Sequence, residues 1–257
     1  MRGNRWYDYA SAKGGFAVSF VRQHYGLPFT DAMKLLLGEA GAAPVPMARP
    51  RETVPPAFVL PKRNGEMRRA FGYLLNTRRL DRDVVSAFVR KGLLYEDAPY
   101  HNVVFLGVDE QGVPRHAQKR STNSEGKALR LNAAGSDPAY SFHWVGTDNR
   151  LFVFEAPIDL LSYISLHQDD WQCHSYVALC GTAGHAMMKM LEVGKQIEDV
   201  ALCLDNDKAG HMAAERLAEG LGGYSVTWDF PQGKDWNDDL RLQMEQVQET
   251  GGMTIGL

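Results

Sequence analysis

Glu155 closes the apolar run Leu151-Phe152-Val153-Phe154, and Asp205 closes the run Val200-Ala201-Leu202-Cys203-Leu204. Asp207 follows two residues later, the spacing that returns a side chain to the same side of an extended chain. Asp159 lies one helical turn beyond Glu155. Carboxylates brought to one edge repel one another and raise each other's pKa unless a cation sits among them. Mg²⁺ or Mn²⁺ suits such a set, because Mg²⁺ takes oxygen ligands, keeps waters and needs only one or two protein carboxylates beside substrate phosphates. A second reading stays open for Asp205-Asn206-Asp207, as a polar loop that caps a helix beginning near Ala209. Glu155 and Asp159 then become a surface acid and a solvated helix charge.

The elements around these acids decide between the readings. Strand-like runs at 151–155, 175–180, 200–205 and 224–230 alternate with helical patterns from about Ile158, after Gly184 and from Ala209. This order predicts an α/β fold with a mostly parallel sheet flanked by helices. Functional groups gather at the carboxyl ends of the strands in such sheets, where Glu155 and Asp205 stand.

Upstream, helical patterns cover 67–75 and 82–91, the second with Asp81 as its cap and Gly92 as its stop. Asn102–Val108 and Val113–Ser121 predict a β-hairpin across Asp109-Glu110-Gln111-Gly112. Its second arm carries Arg115, His116, Lys119 and Arg120, with Lys127 and Arg130 close behind; Lys208 stands beside the acids. A basic β surface next to a metal site would track a phosphate backbone; an exposed edge guarded by positive charge is the alternative. Arg68-Arg69 and Arg78-Arg79 are equivocal between that phosphate grip and solvated helix faces. Tyr140, Phe142 and Trp144 alternate as a stripe that reads as core, with base stacking the alternative, and His185 after Gly181-Thr182-Ala183-Gly184 reads as a tight strand-to-helix connection or a phosphate contact at a helix N-terminus.

Residues 5–38 predict two short helices, the second capped by Thr30 and stopped by Gly38, and 41–61 holds six of the twelve prolines, which marks a linker. The net charge of −3 hides an asymmetry: residues 1–150 carry 22 Lys/Arg against 14 Asp/Glu, and 151–257 carry 6 against 17. A basic half beside an acidic half fits a polyanion surface next to a carboxylate centre. No apolar run reaches the roughly 18 residues that span a bilayer, and the start lacks a signal-peptide core, so the expectation is a cytoplasmic protein without membrane contact. Cys173, Cys180 and Cys203 are expected to be buried small hydrophobes, not disulfide partners or zinc ligands.

These residues carry a family resemblance. Glu155-Ala156-Pro157-Ile158-Asp159 resembles the glutamate motif of TOPRIM domains, with Ala156 where primases usually have Gly, and Leu204-Asp205-Asn206-Asp207-Lys208-Ala209-Gly210 resembles their Asp-x-Asp motif. Pro231-Gln232-Gly233-Lys234-Asp235-Trp236-Asn237-Asp238 is similar to the Gly-Lys-Asp segment of bacterial primases, which adds Asp235 to the metal set. Residues 67–145, including NVVFLGVDEQGVPRHAQKRS and GSDPAYSF, resemble the primase-related domain of unknown function that precedes TOPRIM in mobile-element proteins. Residues 5–38 are similar to the second half of a primase zinc-binding domain, through Gly14-Gly15 and Phe16-x3-Phe20. Asp8 and Ser11 stand where its second cysteine pair would be, and the first pair would precede Met1, so no zinc is expected.

The resemblance implies a helical remnant at 1–40, the linker at 41–61, a smaller α+β nucleic-acid-binding domain at 62–148 and a Rossmann-like TOPRIM catalytic domain at 149–257. It implies a Mg²⁺- or Mn²⁺-dependent nucleotidyltransferase of primase type, acting on single-stranded or opened DNA or RNA in mobile-element replication. Nucleotides and a helicase or other replication protein are its expected partners. Glu155, Asp205 and Asp207 would be catalytic. A nuclease that cleaves phosphodiesters and a non-catalytic nucleic-acid-binding protein are the alternatives.

Overall fold

A computed structural model describes residues 5–8, 13–37, 56–123, 129–181 and 183–252, and the chain divides into two compact units, Met1–Val54 and Pro55–Leu257. Lys127, Ser11, Gly38, the side chain of Asp8 and residues 41–55 of the expected linker lie outside the described residues.

In the first unit, an antiparallel hairpin of β1 (Arg5–Asp8) and β2 (Lys13–Phe16) precedes two helices, α1 (Ala17–Tyr25) and α2 (Phe29–Leu37). The helices were expected and the hairpin was not, because four-residue strands are too short for alternation to register. The Trp6 indole donates to Ser19 Oγ at 2.9 Å and so ties hairpin to helix. Thr30 lies inside α2, which begins at Phe29, and so is not its cap.

The second unit opens with an extended stretch laid along a small sheet: Val59 N donates to Ala134 O, and Tyr95 Oη to Pro61 O. Then come α3 (Arg68–Phe71), which runs on into a π-helical turn over Gly72–Thr77, and α4 (Arg82–Arg90). Asp81 caps α4 as expected, its carboxylate accepting from the amides of Asp83 and Val84. Strands β3 (Leu94–Glu96), β4 (Val103–Val108), β5 (Pro114–Arg120) and β6 (Arg130–Asn132) form an antiparallel sheet in that order.

The larger sheet runs β11 (Ser225–Trp228), β10 (Asp199–Leu202), β8 (Arg150–Phe154), β9 (Ser175–Ala178), β7 (His143–Trp144), parallel except for β7 at one edge. Period-two alternation sends Phe152, Phe154, Tyr176 and Cys203 to one face, and Leu151, Val153, Val177 and Leu202 to the other, where they meet two separate clusters of buried side chains. Helices α5 (Pro157–Leu166) and α8 (Trp236–Gly252) contribute to the first cluster; α6 (His185–Val193) and α7 (Lys208–Glu219) contribute to the second. This is the mostly parallel α/β sheet flanked by helices expected from the alternating pattern, and the Rossmann-like arrangement that the resemblance implied, preceded by a smaller α+β part.

The two parts share one core. Phe88 of α4 packs against Phe142, Trp144 and Trp171, with ring centroids 5.1, 5.1 and 5.8 Å away. Phe142 and Trp144 are therefore core, as the stripe implied, while Tyr140 sits half-buried in a short 3₁₀ turn. The Lys189 ammonium reaches across to Glu110 of the hairpin turn at 3.2 Å. Of the cysteines only Cys203 is buried; Cys180 is half-buried and Cys173 exposed, so the expectation fails for those two. No helix among the described residues is long and apolar enough to cross a membrane.

Candidate active site

Glu155 follows directly on β8, and Asp205 lies three residues past the end of β10, with Cys203 N still bonded to Val153 O at 2.8 Å. The two acids thus emerge at the carboxyl edge of adjacent parallel strands. Gly210 lets the first turn of α7 lie against the Asp205 backbone, since a Cβ there would collide with the Asp205 carbonyl oxygen. Asp205 is half-buried, and its Oδ1 is a buried oxygen without a hydrogen-bond partner. Burial pushes its carboxyl up to about 7, helped by the charges of Glu155, Asp235 and Asp207 and opposed by Lys234. Glu155 is also raised, by burial first and Asp207 next, against the pull of Arg130 and Lys234.

The remaining acids are placed differently from one another. Asp207 caps α7, its Oδ1 accepting from Ala209 N and Gly210 N at 2.9 Å, so the capping reading holds for that oxygen. Asp235 Oδ1 accepts from Asp238 N at 2.8 Å in the first turn of α8. Asp159 is only 7% exposed, and burial followed by the charges of Asp205, Asp235 and Glu155 holds its carboxyl well above the usual range. It is therefore no solvated helix charge. Among the described residues no three His, Cys, Asp or Glu side chains close into a metal cage. The five expected acids share one electrostatic neighbourhood, but they do not form a single coordination shell.

The basic residues divide as well. Along β5, Lys119 and Arg120 point to opposite faces, so the expected single basic surface is two surfaces, and Arg115 sits at a bulge opposite Gly107 and Val108, outside the alternation. Arg115 is taken by Asp109, with Nη2 and Nε at 2.7 and 2.8 Å from Oδ2. Asp109 is itself buried and held low, despite burial, by the Val113 amide and the Arg115 guanidinium. Arg120 pairs in register with Arg130, which places both on the same face of the sheet. That face looks toward the acids, since Arg130 is felt by Glu155 and Asp159. β5 is an interior strand with β6 outside it, so edge protection does not explain its charge. Lys208 is exposed in the first turn of α7.

Sequence reasoning gave no site role to Lys234 and Asn237, left Arg78 equivocal and did not mention Tyr73. Arg78 Nε and Arg120 Nε donate to the same Tyr73 Oη at 2.8 and 3.2 Å, so two guanidinium groups converge on one phenol. Asn237 is 1% exposed; its Nδ2 donates to Arg78 O and to Ser162 Oγ. Lys234 and Asn237 fall within the quoted Gly-Lys-Asp segment and could have been found there; nothing in the local pattern around Arg78 signals its role. The result is a rim of Arg78, Arg120, Arg130 and Lys234 beside half-buried carboxylates, able to take phosphate next to groups able to take a cation.

Residues 152–240, which span this acid-edged parallel sheet, match the Toprim-like family. Residues 72–148 match a family described as protein of unknown function DUF3991, so the chain carries a DUF3991 domain followed by a Toprim-like domain. The chain is similar to an uncharacterized protein of Bacillus anthracis, pXO2-78, with 31% identity over 209 residues. The match takes in 70% of this chain and 59% of that relative, so the chain spans less than two thirds of the relative's length. The fold is similar to the primase fragment of the bacteriophage T7 primase-helicase, with a TM-score of 0.52 and 22% identity over 67% of this chain and 73% of that one. The Escherichia coli primase catalytic core aligns with a TM-score of 0.47 and 18% identity over 74% and 78% of the two chains.

Proposed function

We propose that this chain is a metal-dependent phosphoryl-transfer enzyme of nucleic acid, of primase-like type, that extends a strand on single-stranded or opened DNA or RNA in mobile-element replication. The observation that carries this reading is Asp205 Oδ1, a buried carboxylate oxygen with no hydrogen-bond partner among neighbouring acids. An orphaned anionic oxygen of this kind is stabilised by a cation or a proton. The residues fit Mg²⁺ or Mn²⁺ in the open manner of a site that completes its shell with water and substrate phosphate. Asp205 and the oxygen of Asp207 not engaged in capping would hold the ion, with Asp235 beside them. When bound, such an ion neutralises phosphate charge and orients the reacting oxygens.

The protein's own groups supply the rest. Glu155, its carboxyl raised by burial, is suited to take the proton of an attacking hydroxyl. Arg130 and Lys234 flank it and would hold the phosphates of a nucleotide or strand. Arg120 and Arg78 extend that grip across the α+β sheet. A helicase or another replication protein is the natural partner for a chain of this activity.

Two measurements test the proposal. Calorimetric titration should show Mn²⁺ or Mg²⁺ uptake that is lost in Asp205→Asn/Asp207→Asn; equal uptake by the double variant removes the site. Incubation with labelled single-stranded DNA, nucleotides and either ion should yield new strands; shorter strands alone would make the enzyme a nuclease, and neither product would leave a binding protein.

A further inference from the structure

Trp228 is a large aromatic residue left 49% exposed at the end of the edge strand β11. The other tryptophans of the second unit, Trp144, Trp171 and Trp236, are 5%, 8% and 5% exposed. Trp228 shares its side of the strand with Phe230, whose ring centroid lies 6.2 Å away at 77°. Phe230 in turn meets the His211 ring at 4.1 Å and 31°. The row is therefore continuous, and one of its ends is anchored at the acids. His211 stands one turn into α7, its amide donating to Asp207 O at 3.0 Å and its Nε2 paired with Asn206 Oδ1 at 2.8 Å.

The row also leads outward along the carboxyl edge of the sheet. Asp229 N bonds to Leu202 O at 3.0 Å, which keeps β11 aligned with β10 as far as the aromatic residues. Lys208 is exposed in the same helical turn, three residues before His211. Phe230 packs against the second core cluster and meets Trp228 edge to face, so it braces the exposed Trp228 ring; an exposed indole, an imidazole near the acids, a cation beside them and a phosphate-handling site at one end make a surface for unpaired bases, which present a π-face whatever their identity.

We propose that His211, Phe230 and Trp228 form a base-stacking shelf for single-stranded nucleic acid whose reacting phosphate lies at the Asp205–Asp207 loop. This rests on the function proposed above and adds to it the path of the strand. Recognition by stacking is tolerant of sequence, so the shelf positions a strand without selecting bases.

The experiment uses the full chain and an oligo(dT) 12-mer. Binding should quench tryptophan emission in the wild type. Trp228→Leu should lose most of the quench and weaken binding by about tenfold, and Trp228→Phe should bind within about threefold of the wild type because a ring remains. Lys208→Ala should lower the salt slope by about 0.7. Far-ultraviolet circular dichroism establishes that the variants are folded. A Trp228→Leu variant that binds with wild-type affinity and quench overturns the shelf, while metal uptake lost in Asp205→Asn/Asp207→Asn would leave the reading of the site standing. A wild type that binds neither oligonucleotide nor metal ion overturns both.

Discussion

Asn237 holds Arg78 at both ends: its Nδ2 donates to the Arg78 carbonyl oxygen at 2.8 Å, and its Oδ1 accepts from Arg78 Nη1 at 3.1 Å. A residue of the last helix thereby fixes the backbone and the guanidinium of one from the α+β part, beside the Tyr73 hydroxyl that Arg120 shares. Asn237→Ala leaves the buried Ser162 hydroxyl and the Arg78 carbonyl without their donor. The expected loss is about 2 to 3 kcal/mol in urea unfolding; a loss below about 0.5 kcal/mol would mean that water replaces the amide.

The division of the basic residues predicts unequal effects on binding. Arg120→Ala/Arg130→Ala should reduce the salt slope of single-strand binding by about 1.4, at roughly 0.7 for each phosphate contact. Arg115→Ala should leave both affinity and slope unchanged, since that guanidinium is committed to Asp109. Fluorescence anisotropy between 50 and 200 mM salt measures the difference, and a slope that follows Arg115 would show that its guanidinium is not committed to Asp109.

Asp207 combines two roles that substitutions separate. Asp207→Asn keeps a side-chain oxygen for the α7 amides and should cost only a few tenths of a kcal/mol, whereas Asp207→Ala should cost about 1 kcal/mol. Metal uptake should fall in both. Thermal unfolding paired with calorimetry distinguishes the cap from the charge.

His116 is 1% exposed, has an unpartnered Nδ1 and is held down to about 4 by burial, with Asp137 opposing. Its folded pKa lies below the unfolded value near 6.5, so its neutral form stabilises the fold above pH 6.5. That contribution, about 3 kcal/mol, is lost as pH falls through 4. His116→Leu should flatten the decline of the urea midpoint between pH 6.5 and 4 while leaving stability at pH 7.5 nearly unchanged. An identical decline in the variant would place the acid sensitivity elsewhere.

Local signals were enough for the longer elements and for two acids that follow strand ends, but not for the short strands β1, β2, β3 and β6. The alternating strand and helix runs, the cap at Asp81, the hairpin around Gly112, and the placement of Glu155 and Asp205 depend on periodicity and on residues within a few positions of one another. Such patterns are visible in the chain because backbone hydrogen bonding and side-chain alternation repeat at short range. Asp207 shows where this stops: one short sequence allowed both cap and ligand, and the folded chain uses one oxygen for the cap.

Only the tertiary structure decided which charges remain available and what surrounds them. Arg115 and Arg120 look equivalent along β5, yet one meets Asp109 and the other meets Tyr73 from another element. Arg78 became part of the rim through Asn237, 159 positions away, and Asp159 was withdrawn from solvent by packing. Desolvation, ion pairing and the sharing of one core by α4 and the large sheet depend on neighbours remote in the chain. These neighbours are brought close only by burial of the apolar faces, so no local pattern of residues contains them.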